Sequence, residues 1–162
     1  MKKNTTWKDR YRGIDFSVSN WQLESTGDCW AYYIFLVLDQ LPEDVRERFW
    51  LEPEPTEWKS MPIRYDYYSE PLISELDWHG GCTWYSKEGF EGNRRVVKIG
   101  CDYQHYWDEG RHYNLDFVAD EARHTIDTLH ELIPGIMKWC CYCGDYFVPE
   151  ADERRCPECK DK

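Results

Sequence analysis

The chain has 162 residues, 41% apolar and 17% aromatic, with 31 acidic against 20 basic side chains and a formal net charge of −11. That length suits one domain with a small appendage, and so aromatic a composition excludes a disordered chain. The acidic surplus argues against a body that grips phosphates, because such binding draws its affinity from Lys and Arg.

The charge is uneven. Residues 1–13 carry Lys2, Lys3, Lys8, Arg10 and Arg12 against Asp9, a net of +4, which leaves −15 on the remainder. Such a body steers toward basic partners, although negative charge also serves solubility alone. The basic opening is followed by no apolar stretch of signal-peptide length, and the longest apolar run, Trp30 to Leu38, is too short to cross a bilayer. The expectation is a soluble cytoplasmic protein without membrane contact. Its eight Cys would then be thiols or metal ligands.

In chain order, the basic leader is expected to fray until Ile14, where IDFSVSNW alternates as a strand. STGD at 25–28 is a turn, and CWAYYIFLVL, Cys29 to Leu38, has the β-branched and aromatic content of a second strand, the two forming a hairpin. LPEDVRERFW at 41–50 predicts a short helix, with Pro42 at its first position and Glu43 and Asp44 at the positive end of its dipole. Pro53 and Pro55 then impose a loop, and IRYDYY at 63–68 alternates as another strand. ELDWHGGCTWYS and RRVVKIGCDYQHYW flank the turn-like KEGFEGN as a second hairpin.

The clearest helix follows. Leu115, Val118, Ala122, Ile126, Leu129 and Ile133 recur at spacings of three and four, with Asn114 as its cap and Pro134–Gly135 as its stop. The chain thus divides into a basic leader (1–13), an α+β domain (14–136) and a Cys-rich module (137–162). The domain is an antiparallel sheet packed by one long C-terminal helix.

Cys140-x2-Cys143 and Cys156-x2-Cys159 have the spacing of a four-cysteine zinc ribbon. Four thiolates fill a tetrahedron and leave no open position, so one structural Zn2+ is expected; paired redox dithiols are the alternative. Only three residues follow Cys159, too few for the helix that other four-cysteine arrangements grow there. Cys141 is expected to point away, its alternative being to replace Cys140. The loop between the pairs holds Asp145, Glu150, Asp152 and Glu153 against Arg154 and Arg155, which is not the basic face of a nucleic-acid ribbon.

A second constellation joins WHGGCTW to IGCDYQHYWDEGRH. Paired arms would bring His79 near Asp102 and His105, with Asp108 and His112 following. These are candidates for acid–base catalysis or an oxygen/nitrogen metal site. The plainer alternative is that Asp102 accepts a hydrogen bond from His79 or His105 and locks the loop. On the long helix Glu121 and His124, with Asp127 and His130, lie off the apolar stripe and read as a solvated face. Cys29, Cys82 and Cys101 read as small buried residues. No P-loop, G-x-G-x-x-G or G-x-S-x-G motif occurs.

The runs W-H-G-G-C-T-W (78–84) and K-I-G-C-D-Y-Q-H-Y-W-D (98–108), with C-W-A-Y-Y upstream, resemble a loose group of small, uncharacterised tailed-phage proteins. The matching positions are His79, Gly80, Gly81, Thr83, Gly100, Asp102, His105 and Asp108, and the likeness spans residues 29–133. The resemblance implies a phage or prophage accessory protein in a bacterial host, and by analogy an inhibitor of restriction or CRISPR systems whose acidic surface imitates nucleic acid. The leading expectation is therefore a non-enzymatic protein that binds a basic protein partner through acidic and aromatic residues, with the ribbon as a second contact or an oligomer latch. The alternatives are a metal-dependent hydrolase using His79, Asp102, His105 and Asp108, and a transcription or replication accessory that touches DNA through its leader.

Overall fold

Alternation along the N-terminal half becomes a sheet because every second side chain can be buried against one helix. A computed structural model of the chain describes residues 4–25, 27–38, 41–43, 46, 75–91, 94–147, 149 and 154–162. Its strands are β1 (Thr5–Tyr11), β2 (Ile14–Leu23), β3 (Gly27–Val37), β4 (Trp84–Glu91) and β5 (Arg94–Asp102). They pair antiparallel in the order β1-β2-β3-β5-β4. A 3-10 turn (Tyr106–Asp108) leads to helix α1 (Leu115–Leu132), and a two-stranded ribbon of β6 (Lys138–Trp139) and β7 (Tyr146–Phe147) follows. The α+β class, the antiparallel sheet and the packing of helix α1 on it are as expected.

Register decides the faces. Phe16 pairs with Ile34 and Val18 with Tyr32, while Ile99 and Cys101 lie opposite Ile34 and Tyr32 from the other side. These side chains form one buried cluster with Tyr85, Val97, Val118, Ala122, Ile126 and Leu129. The stripe predicted on α1 is the one buried, apart from Leu115 at its start, which is only partly covered. Asn114 caps the helix by accepting from the Phe117 N–H at 2.9 Å. The chain leaves the helix through Gly135, whose φ of +82° is the left-handed geometry that glycine supplies at a helix end.

Two expectations differ from the structure. The leader does not fray up to Ile14: residues 5–11 form the edge strand β1, paired along its whole length with β2. Composition concealed this, because an edge strand needs few apolar side chains when both its neighbours and its charges can face water. The second hairpin is tighter than predicted, since pairing runs from Trp84↔Gly100 to Glu91↔Arg94, so most of KEGFEGN is strand, with a bulge between Lys87 and Gly89. Its first arm starts only at Trp84, and residues 77–83 form an irregular turn. The helix expected over 41–50 lies largely outside the described residues, apart from one turn marked by the Arg46 N–H to Pro42 carbonyl bond at 2.9 Å. The Pro53–Pro55 loop and the strand over 63–68 lie outside them entirely.

Among the described residues no helix is long and apolar enough to cross a membrane.

Candidate functional sites

The Cys module is built by the β6–β7 pairing, Lys138↔Phe147 and Trp139↔Tyr146. Directly after β6, the chain turns so that the Gly144 N–H reaches the Cys140 carbonyl at 3.0 Å, with Gly144 at φ +81°. The second turn closes through the Cys159 N–H to Cys156 carbonyl bond at 2.9 Å, and the Cys156 N–H points at Cys140 Sγ at 3.3 Å. The sulfurs of Cys140, Cys143, Cys156 and Cys159 all lie within 4.8 Å of one another and could hold a metal ion. The Cys143–Cys156 sulfur separation of 3.7 Å matches the edge of about 3.8 Å implied by Zn–S bonds near 2.3 Å in a tetrahedron.

The electrostatics agree with that chemistry. Burial would raise the Cys140 thiol, but the amides of Cys143, Cys156 and Tyr142 outweigh it and hold it well below the usual thiol range. The Asp145 amide draws Cys143 down, yet the neighbouring sulfurs drive it up, and Cys159 is raised by burial and by Cys156. Deprotonating all four would crowd negative charge that a cation offsets. Cys141 is exposed and outside the cluster, its N–H bound to the Arg154 carbonyl at 3.0 Å, so Cys140 and not Cys141 belongs to the group that could hold an ion.

The second site lies where the turn before β4 meets the turn after β5. The first contact of the β4–β5 ladder sets Trp84 against Gly100, which brings residues 78–83 beside residues 102–108. The Thr83 N–H binds the Gly100 carbonyl at 2.9 Å, and Thr83 Oγ1 accepts from the Asp102 N–H at 3.0 Å. Asp108, 7% exposed, is the hub of the cluster. Its Oδ1 meets His79 Nε2 at 2.7 Å and accepts from the Tyr113 hydroxyl, while its Oδ2 meets His105 Nδ1 at 3.0 Å and accepts the His105 N–H at 3.0 Å. Burial would raise this carboxyl, but the bonds from Tyr113, the His105 amide, His79 and His105 outweigh it and hold it below the ordinary value.

His79 stacks on Tyr103 with ring centres 3.9 Å apart, and its Nδ1 lies 3.4 Å from Glu121 Oε2, which also accepts from the Tyr103 hydroxyl at 2.7 Å. His105 stacks on Trp107 at 4.4 Å. Gly80, at φ +70°, lies beneath both rings: a Cβ there would come within 2.6 Å of His105 and 2.7 Å of Trp107. Tyr103, His105, Asp108 and Tyr113 open onto a cleft of about 560 Å³ that also takes in Arg111, His112 and the β2–β3 turn.

Of the four candidate residues, the structure brings His79, His105 and Asp108 together and leaves Asp102 apart. Asp102 Oδ1 accepts from the Gln104 N–H at 3.1 Å and shapes the turn; neither histidine reaches it. The loop lock expected at Asp102 is therefore made by Asp108, because Asp102 still belongs to β5 whereas the chain folds back by residue 108. Tyr103 and Tyr113 carry no signal in the sequence, and Glu121, expected on the solvated face, joins the cluster instead. Glu121 falls three residues after Val118 and four before Thr125, both buried, and that spacing puts it at the border of the stripe, not on the opposite face.

The supposed solvated face of α1 is likewise mixed. His124 does pair in the open with Asp77 at 2.7 Å. Asp127, however, binds Arg12 at 2.7 Å, and buried His130 donates from Nε2 to the Arg12 carbonyl at 2.9 Å. Cys29, Cys82 and Cys101 are buried, as expected.

Comparison with protein-family models, curated proteins and solved structures gives no match, so the functional reading rests on this geometry.

Proposed function

We propose that the chain is a binding protein that presents a rigid aromatic knuckle, Tyr106–Trp107, to a protein partner, with one structural Zn2+ in the four-cysteine cluster stapling its C-terminal module. The observation that carries this reading is the pairing of exposure with rigidity. Tyr106 is 90% exposed, Trp107 49% and Phe117 45%. Yet the turn bearing the first two is clamped by the bonds of Asp108 and by the His105–Trp107 stack. Aromatic anchors held in place before binding lose little conformational freedom when they dock. The acidic body adds attraction for a partner with a basic surface. Trp139 and Tyr142, both more than half exposed, offer a second contact on the Cys module.

The resemblance to tailed-phage accessory proteins supports a partner in an infected bacterial cell, with an anti-restriction or anti-CRISPR role as its most direct form. Direct DNA contact through the N-terminus is a poorer fit, because Arg10 binds Asp15 at 2.6 Å and Arg12 binds Asp127 at 2.7 Å.

The test compares partners recovered from host cells by wild type and by a Tyr106→Ala/Trp107→Ala double variant, at low and high salt. A protein held by wild type at low salt, and lost both in the variant and at high salt, supports the reading. Identical recovery by both chains refutes it. For the staple, removing zinc with a chelator, or Cys140→Ser, is expected to unfold the module while the β1–β5 sheet persists. Backbone amide exchange over residues 138–162 reads this directly, and unchanged protection there after metal removal would overturn it.

A further inference from the structure

We propose that His79, His105 and Asp108 form a second metal site, for zinc or another first-row transition dication, distinct from the four-cysteine cluster and independent of the protein-binding reading. Each of the three residues offers one ligand atom within 4.8 Å of the other two, and the ring nitrogens that face Asp108 are His79 Nε2 and His105 Nδ1. Two imidazoles and one carboxylate suit such an ion better than calcium or magnesium, which prefer all-oxygen sets.

The argument turns on hydrogen-bond valence at His79. Both of its ring nitrogens face carboxylates, Asp108 Oδ1 at 2.7 Å and Glu121 Oε2 at 3.4 Å. A neutral imidazole has one N–H, so it can serve only one of them, and its other lone pair then points at a carboxylate. Either a second ring proton or a dication at Nε2 satisfies both carboxylates; with the dication, Nδ1–H donates to Glu121 and the metal takes the side facing Asp108. A carboxylate on the outer nitrogen is the partner that metal-bound histidines usually have. Here it is itself fixed by the Tyr103 hydroxyl at 2.7 Å, and the Tyr103 ring holds the imidazole plane.

Asp108 is prepared in the same way. The Tyr113 hydroxyl and the His105 amide each occupy one oxygen, which orients the carboxylate and leaves a lone pair on each oxygen directed toward the histidines. The 3.0 Å gap between His105 Nδ1 and Asp108 Oδ2 is close to the spacing of two ligands on one small dication. Three protein ligands leave coordination positions open, and the cleft lined by His105 and Asp108 gives access to them.

The experiment uses the full chain saturated with Co2+ and dialysed, then assayed for metal per chain and by optical spectroscopy. Wild type is expected to hold roughly two equivalents, one with the intense thiolate-to-cobalt absorption of a sulfur site and one without it. His79→Ala should lose one equivalent and leave the thiolate absorption unchanged. Cys140→Ser/Cys143→Ser should lose that absorption and keep the other equivalent, so failure of the four-cysteine assignment is told apart from failure of this one. A wild-type chain that binds only the thiolate-coordinated ion, or a folded His79→Ala chain that keeps both, overturns the proposal. Should His79→Ala not fold, nitrogen NMR of wild-type His79 in excess Zn2+ decides. An unprotonated, metal-shifted Nε2 supports the site, and an N–H on both nitrogens refutes it.

Discussion

Replacing Gly80 by Ala tests how tightly the WHGG turn is fitted under the histidine cluster. Two penalties apply. The first is backbone: at φ +70° an L-residue costs about 1–2 kcal/mol relative to glycine. The second is steric. The new Cβ would lie 2.6 Å from His105 Cε1 and Nε2, against 3.4 Å for the onset of ordinary contact, so the ring or the turn must give by about 0.8 Å. A shift of that size stretches the His105–Asp108 bond, now 3.0 Å, beyond useful length. Overpacking of this kind costs about 1–3 kcal/mol, so the variant should lose roughly 2–5 kcal/mol in all. Gly27 provides the control, with φ +76° and nothing within 4 Å of its would-be Cβ, so Gly27→Ala should cost only the backbone part. Urea unfolding followed by Trp fluorescence, at fixed zinc, measures both. If Gly80→Ala is no more damaging than Gly27→Ala, the turn is loose and the packing argument fails.

Three further outcomes follow from the same geometry. Ile126→Ala empties a fully buried position between helix and sheet and should cost about 2–5 kcal/mol in urea unfolding; a loss below about 1 kcal/mol would mean that α1 is not seated as described. Thr125 Oγ1 lies 2.7 Å from the buried Tyr32 hydroxyl and 2.6 Å from the Asp77 carbonyl, so Thr125→Val should cost about 1–3 kcal/mol by leaving that hydroxyl only the longer 3.5 Å bond to the Asp77 carbonyl, and Tyr32→Phe should cost less. Burial holds His130 below the ordinary histidine value despite the Arg12 carbonyl and Asp127, with the Arg12 guanidinium adding to the depression. The unfolded chain therefore protonates first, and stability should be complete above about pH 6.5 and decline as pH falls below it, down to the folded-state value. His130→Gln, which keeps a donor for the Arg12 carbonyl, should flatten that slope; an unchanged slope would show that another group is responsible.

What the sequence determined by itself was whatever depends on local spacing. The 3-and-4 stripe from Val118 to Ile133, the Asn114 cap, the Gly135 exit and the matched C-x2-C pairs are each written within a few residues of chain. Their physical causes, helical period, capping and ligand bite, act over the same distance. Residues 5–11 were illegible as a strand because an edge strand is defined by its neighbour's ladder and not by its own alternation. The histidine cluster was half legible. The motif pointed to His79, His105 and Asp108, but only the β4–β5 register could separate Asp102, which still lies in the sheet, from Asp108, which folds back beneath the rings. Glu121 and Tyr113 joined that cluster from α1 and the loop before it, contacts made across the fold, which no spacing along the chain encodes. Tertiary structure decided the site because a buried carboxylate takes its partners from whatever the packing brings within reach.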